Sequence, residues 1–504
     1  MAKTGIAQTA KNKKQNSFSL TKDQKTAFDS IASIIKSKSN PILVDDSLDS
    51  SMISLSGAAG TGKTFLIVKL LKYFSSKKDK IDCTVTAPTN KATGVIAQML
   101  HKNSIRVKCK TIHSFLRIKK VRDYETGKEK YALDEKNKHK RESTFLLIVD
   151  ESSMINNEIF SYIKDAIKDG RVEIVLFVGD PYQLPPVNGT KNIISRLKNQ
   201  FELKEVVRQA KDSYIIRVAT KIRDMIENDD FVELDQFFSN LDEKELQFFH
   251  NEKDFLNDYC ENERYNFDKK IIASYTNKMV DRYNATLRKR YWKDQGIEDV
   301  DSFRKGDWIR FKESYEHQGS ILYYNGDEYK ITSAEKSYHE KMAVNFWKCN
   351  TISNYPFYVV DTKDIDVHET NLQEIANRAK IAPRGLDKKK LWKLFFEIKD
   401  FFAEIQYIYA STIHKLQGST YEYVYIDLFS IINHGKNLNL EMIYRLVYVA
   451  ITRASKDVKV LLPKSIITSE HNEIDHKNIE KYFDDKIKDI DSLLDDVLEN
   501  FLKN

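Results

Sequence analysis

Proline and glycine are scarce in this 504-residue chain, at 8 and 16 residues, which leaves little room for long flexible linkers, collagen-like repeats or a turn-rich solenoid. Cysteine is scarcer still. Cys83, Cys109, Cys260 and Cys349 stand at least 26 residues apart, with no CxxC pair and no histidine at zinc-ligand spacing. The expectation is a reduced, cytoplasmic chain without structural metal. Apolar runs such as Phe145–Val149 and Ile174–Val178 stop at five residues, far below the roughly 18 that span a bilayer, so no membrane partner is expected. Residues 1–18 are basic and polar without the apolar stretch of a secretory signal, which argues against export.

What is present points to a large globular chain. The hydrophobic fraction is 41% and the aromatic fraction 11%, enough for several packed cores and too much for a mainly disordered polymer. At roughly 150 residues per domain the length suggests about three units. The net charge of +7 suits a polyanionic partner. Residues 1–25 carry six Lys against one Asp, whereas residues 471–504 carry ten acids against five Lys, so the body between them stays basic. A basic body with an acidic tail hints at nucleic acid.

Short β-rich apolar runs followed by helical periodicity recur in two stretches, the pattern of α/β domains with parallel sheets. The first stretch holds candidate strands at 53–56, 83–87, 145–150 and 173–178; the second holds them at 270–275, 404–409, 423–428 and 458–462. Two segments break the rhythm. Residues 116–143 carry ten Lys or Arg against six acids around the turn candidate 124–128, which predicts a basic β-hairpin insertion. Residues 301–400 alternate polar and apolar positions around Asn325-Gly326, predicting a hairpin there and a small β-barrel inserted into the second α/β unit. From Ile479 onward the chain reads as an acidic amphipathic helix.

The most specific motif is Gly57-Ala58-Ala59-Gly60-Thr61-Gly62-Lys63-Thr64, which fits GxxxxGK followed by Ser or Thr and lies between a candidate strand and an apolar helix. Such a loop turns successive N–H groups toward phosphate oxygens, while Lys63 reaches the β/γ-phosphates and Thr64 ligates Mg²⁺. ATP and Mg²⁺ are the expected cofactors. The strand ending in Asp150-Glu151 delivers two acids where ligands bind in open α/β sheets. Asp150 is expected to hold Mg²⁺ and Glu151 to polarise the attacking water. Gln183, on the proline-stiffened loop 179–186, is a candidate γ-phosphate sensor. Arg208 and Arg453 each follow apolar residues and are candidates to meet the charge that develops on the γ-phosphate.

In order along the chain, these motifs resemble the superfamily 1 helicases, and within them the RecD/Dda-like branch. The resemblance rests on Thr21-Lys22-Asp23-Gln24, the phosphate loop, Thr86 to Ala92, Thr111 to Phe115, Asp150 to Met154, Gly179 to Pro186, Arg208, Ser411 to Ser419 and Val447 to Ser455. It implies two RecA-like motor domains with ATP between them and single-stranded DNA across both, moving 5′→3′ and opening duplex junctions. By position it gives Gln24 the adenine, Arg208 and Arg453 the γ-phosphate, and Pro88, Thr89, Asn90, Lys91, His113, Thr412 and His414 the DNA. The basic hairpin takes the place of the family's duplex-parting element, with Tyr124 or Tyr131 to stack on the last base pair. The 301–400 insertion takes the place of an SH3-like subdomain. The implied division is a first motor domain at 1–115 and 144–255, the hairpin at 116–143, and a second motor domain at 256–300 and 401–504 around the 301–400 insertion. Residues 370–400, Lys-rich near Lys388–Lys390 with Trp392, Phe395 and Phe396, match no part of the family pattern. A monomer with replication or recombination proteins as possible partners is expected. Two other readings stay open: a nucleotide-gated single-strand binding or loading protein, and an RNA-directed motor.

Overall fold

The computed structural model describes residues 20–462 apart from 40–47, 77–79, 187–195, 208–212, 242–245, 264–265, 299–301, 318–319, 341 and 436–437. The expected acidic helix from Ile479 and the candidate Arg208 lie outside the described residues.

The first sheet has six parallel strands in the spatial order Lys108–Thr111, Cys83–Ala87, Thr144–Val149, Val172–Gly179, Met52–Gly57 and Asn199–Leu203. Its central strands are buried on both faces, which is why they read as unbroken runs of Leu, Ile, Val and Phe instead of alternating. Helix Lys22–Lys38 covers one face and starts with a capping box, Thr21 and Gln24 bonding each other's backbone.

The second sheet has five parallel strands in the order Ala410–Thr412, Lys270–Ser274, Tyr421–Asp427, Ala454–Leu461 and Gln247–Phe249. The expected strand at 404–409 is corrected here. Ile405–Tyr407 leaves this sheet and pairs antiparallel with Trp308–Phe311, and the sheet strand proper is Ala410–Thr412. The division at residue 255 also sits later than the packing does. Helix Tyr214–Asn228, helix Leu234–Ser239 and strand Gln247–Phe249 bury their apolar faces with Ile271, Val424 and Val458, so they belong to the second lobe's core.

Strands within 308–360 build three small antiparallel sheets, all of which share a core of Phe311, Tyr323, Trp347 and Phe357. Asn325-Gly326 does make a turn, with Gly326 at φ 86°, but the turn joins strands of different sheets and not the two arms of one hairpin. Ser320–Tyr323 pairs with Tyr315–His317, whereas Glu328–Lys330 pairs with Trp308–Phe311. Two helices, Ile365–Ile381 and Leu386–Phe401, then project as a pair with a small core of Ala379, Trp392 and Phe396. In the first lobe, Ile118–Asp123 and Lys128–Leu133 form an antiparallel pair closed by the turn at 124–127. The four cysteines are free thiols, and burial pushes those of Cys83 and Cys349 up to about 12.

The small sheets are fastened to the second lobe by one buried carboxylate. Asp307, fully buried, accepts from Arg288 Nε (2.9 Å) and Nη2 (2.8 Å), from Trp292 Nε1 (2.7 Å) and from the Arg304 amide (2.9 Å). Arg288 and Trp292 sit on the long helix Asn277–Asp294. Removing the carboxylate takes two charge-assisted bonds from a buried guanidinium. Asp307→Ala is expected to lower the unfolding free energy by about 3–5 kcal/mol, read from urea midpoints.

Candidate nucleotide site and nucleic-acid face

Four adjacent strands of the first sheet end at one edge, and each delivers a motif there: Thr86 to Ala92, the phosphate loop, Asp150-Glu151 and Gly179 to Pro186. The loop leaves strand Met52–Gly57 and enters helix Lys63–Phe74, whose start has no side-chain cap, so its first N–H groups are free to meet an anion. Gly62 stands at φ 83°, and a Cβ there would lie 2.4 Å from Gln24 Nε2. Only glycine fits. Gln24 is itself buried and spends both ends of its amide on the protein, accepting from the Thr21 amide (3.1 Å) and donating to Thr61 O (2.9 Å). Lys63 Nζ rests on loop carbonyls, Gly57 O at 2.6 Å and Ala58 O at 3.0 Å, and lies 4.0 Å from Asp180 Oδ2.

Asp150 leaves the central strand with its amide donating to Thr86 O at 2.8 Å. Burial pushes its carboxyl well above the usual carboxylate range, the adjacent Glu151 adds to the rise, and Lys63 opposes it. Glu151 holds a left-handed backbone at φ 50°, a strain that turns its side chain toward the second lobe. There Arg453 Nη1 stands 4.0 Å from Glu151 Oε1. Arg453 is only 7% exposed and is aimed by bonds to Val449 O, Ser419 O and Thr452 Oγ1. Gln183 is buried, and its Oε1 has no hydrogen-bond partner.

The same second-lobe helix, Leu440–Thr452, reaches the loop at two further points. Tyr448 hydroxyl donates to Asp180 Oδ2 (2.7 Å) and accepts from the Ala59 amide (2.9 Å). One turn earlier on the same face, Arg445 Nη1 donates to Pro181 O (2.6 Å) and Gln183 O (3.0 Å). Lys63, Asp150, Glu151, Gln183 and Arg453 therefore converge on one seam between the lobes.

The residues expected to face DNA are placed less uniformly. Thr89 caps helix Asn90–Lys102, its Oγ1 accepting from the Ala92 amide, with Pro88 half-buried beside it. Asn90 Nδ2 reaches Asn325 O at 3.5 Å. Lys91 is not an open cation: its Nζ donates to Tyr421 OH (2.6 Å) and pairs with Glu328 (3.1 Å), both in the second half of the chain. Thr412 makes no capping bond. Burial lowers the pKa of His113 and of His414, leaving both rings neutral at pH 7. Tyr131 is 55% exposed and meets His113 edge-on; Tyr124 is 39% exposed and packs edge-on against Phe396.

Phe396 belongs to the helical pair, and the hairpin is clamped to it. Arg122 grips Asp400 with two bonds (2.5 and 2.7 Å), bonds Glu129 (2.8 Å) and stacks over Phe396 at 4.5 Å. Lys399 reaches Glu129 at 3.0 Å.

Residues 41–189 match the family described as an AAA domain, and residues 407–461 match the UvrD-like helicase C-terminal domain. The chain is 25% identical over 472 residues to the ATP-dependent DNA helicase Dda of phage T4, covering 87% of this chain and 98% of that one. It is 26% identical over 467 residues to the RecBCD subunit RecD of Buchnera aphidicola, covering 83% and 71%, and 26% identical over 473 residues to an uncharacterized protein of Acanthamoeba polyphaga mimivirus, covering 80% and 93%.

Together these likenesses support a superfamily 1 helicase of the RecD/Dda-like kind. The residues that sequence reasoning missed are Tyr448 and Arg445 at the seam, and Asp400 and Lys399 on the helical pair; Asp180 was placed on the 179–186 loop without a role. Tyr448 and Arg445 were within reach as polar groups spaced i, i+3 on a mainly apolar helix. Nothing local to Asp400 marks it, since its partner lies 278 residues away. Tyr448→Phe leaves Asp180 and the Ala59 amide each short of a bond. It is expected to lower stability by about 1–3 kcal/mol, and a double-mutant cycle with Asp180→Asn should show coupling of about 1 kcal/mol or more.

Proposed function

We propose that this chain is an ATP-dependent DNA helicase that hydrolyses ATP at the seam, moves 5′→3′ on single-stranded DNA and parts duplex at the hairpin of residues 118–133. The observation that carries the reading is the set of second-lobe side chains on the phosphate loop's neighbourhood: Arg453 at Glu151, Tyr448 at Ala59 and Asp180, and Arg445 at the Gln183 loop. A binding module needs no such coupling, and none of its functions would require an arginine from one lobe to meet the water-polarising acid of the other.

The residues fit a nucleoside triphosphate. A Cβ at Gly62 would fill the cradle, the loop helix starts uncapped, Lys63 rests on neutral carbonyls and Gln183 Oε1 lacks a partner. Thr64 and Asp150 are the residues to hold Mg²⁺, which when bound supplies neutralising charge at the β- and γ-phosphates. Lys63 binds the same phosphates, Glu151 orients the attacking water, and Arg453 offsets the charge that grows on the γ-phosphate. Arg208 is proposed for the same phosphate and Gln24 for the adenine on family position alone. Loss of the γ-phosphate then releases Arg453, and the lobes reopen.

On this reading the lobes are RecA-like motor domains and the small sheets of 308–360 an SH3-like subdomain. Pro88, Thr89, Asn90, Lys91, His113, Thr412 and His414 line the strand's path. Neutral imidazoles and hydroxyls bind backbone oxygens without reading bases, which suits movement along any sequence. Tyr131, the more exposed of the two hairpin tyrosines, is the stronger candidate for stacking on the last base pair.

Duplexes bearing a 5′ tail, a 3′ tail or no tail, incubated with ATP and Mg²⁺, are expected to open only when the tail is 5′; opening of the 3′-tailed substrate alone would reverse the assigned direction. Lys63→Ala is expected to abolish hydrolysis. Arg453→Ala should keep nucleotide binding and slow turnover by on the order of 10³, whereas near-parental turnover would remove Arg453 from the site.

A further inference from the structure

The hairpin turn and the helical pair enclose a cavity of about 580 Å³ that the motor cycle leaves without a role. Glu125 and Thr126 of the turn line it on one side, and Lys380, Arg384, Lys388 and Trp392 of the pair line it on the other. Three of these six side chains are cations, and among the described residues none of the three forms an ion pair. Lys388 Nζ donates to the Lys380 carbonyl at 3.3 Å, and the lone acid, Glu125, pairs through Oε1 with Lys389 at 3.1 Å while its Oε2 is buried without a hydrogen-bond partner. Trp392 is 4% exposed, and its indole N–H has no hydrogen-bond partner. Helix Leu386–Phe401 begins at Gly385 without a side-chain cap, so its positive end adds to the same field.

One wall of the cavity is closely packed. Gly127 stands at φ 69°, and a Cβ there would lie 2.3 Å from the Trp392 ring, so the turn seats directly on the indole. Three cations against the single carboxylate of Glu125 leave the cavity with excess positive charge, which an added anion relieves. The location selects which anion. Ile118 and Leu133, at the other end of the hairpin, pack on the first lobe's core, so the turn is the end remote from the motor. None of the residues assigned to the single strand lines the cavity.

We propose that this cavity grips the sugar–phosphate backbone of the duplex that has not yet been parted, immediately ahead of the hairpin. The inference rests on the hairpin being the strand-parting element. Lys380, Arg384 and Lys388 meet phosphates without reading sequence, as a translocating enzyme requires.

The test compares the full chain with Lys380→Glu/Arg384→Glu/Lys388→Glu and with the milder Lys380→Gln/Arg384→Gln/Lys388→Gln, which keeps the question open to refutation if charge reversal disturbs folding. Affinities for a blunt duplex, a forked duplex and a single strand of equal length are read by fluorescence anisotropy across a salt series without ATP. Both variants are expected to bind the blunt and forked duplexes more weakly. The slope of log affinity against log salt should shrink by about 0.9 per lost contact, or about 2.7 for three. Single-strand affinity and single-strand-stimulated hydrolysis should match the parent. Unchanged duplex and fork binding would overturn the proposal, and so would a loss confined to, or equal on, the single strand. Absence of stimulated hydrolysis in the parent would instead refute the motor reading, and the binding comparison, made without ATP, would still stand on its own result.

Discussion

The phenol oxygen of Tyr448 accepts from the Ala59 amide and donates to Asp180, and the geometry of the seam follows from that pair of bonds. Burial and the nearby Asp180 hold the phenol's pKa well above its ordinary value, so it stays a donor across any physiological pH. With the phenol anchored, the helix that carries it sets Arg445 over the Gln183 loop and Arg453 beside Glu151. The Ala59 amide is one of the N–H groups that a phosphate loop offers to its ligand. A phosphate that takes this donor takes it from Tyr448, so nucleotide and second lobe contend for one hydrogen. That contest is a direct physical link between what occupies the loop and where the neighbouring lobe sits.

A second junction between the halves of the chain lies at the hairpin. There the contact is made of charge-assisted bonds to Asp400 and Glu129 with Phe396 beneath the Arg122 guanidinium. The two junctions differ in chemistry. At the seam Tyr448, Asp180 and Arg453 are buried, whereas the hairpin clamp is partly exposed and therefore weakened by salt. The helical pair thus does structural work for the hairpin.

Much of the site was legible because its chemistry is local. The phosphate loop, Asp150-Glu151 and Arg453 announce themselves through spacing, and the glycines through the turn they permit. The parallel sheets were legible for a related reason: strands buried on both faces cannot alternate, so they stand out as short apolar runs. What escaped were properties that depend on distant partners. Residues 404–409 look like one strand, yet the chain switches sheets within them, because Ile405–Tyr407 finds Trp308–Phe311 before Ala410 enters the lobe. Asn325-Gly326 encodes a turn, but whether its flanks pair with each other is decided by Tyr315–His317 and Trp308–Phe311. Residues 214–249 follow the first lobe in sequence and pack with the second, since the edge they complete is offered by Ala454–Leu461.

Lys91 is among the residues proposed to face nucleic acid, yet its ammonium is bonded to Glu328 and Tyr421. Glu328 is shared with Arg310, whose guanidinium holds that carboxylate ionised. The enzyme thus supplies its own surrogate for the polymer's negative charge. On the proposed path, capture of the strand at this lysine would substitute one anion for another and would not fill a bare cation. For a machine that must let go at every step, a pre-neutralised fingerhold avoids the trap of gripping too well.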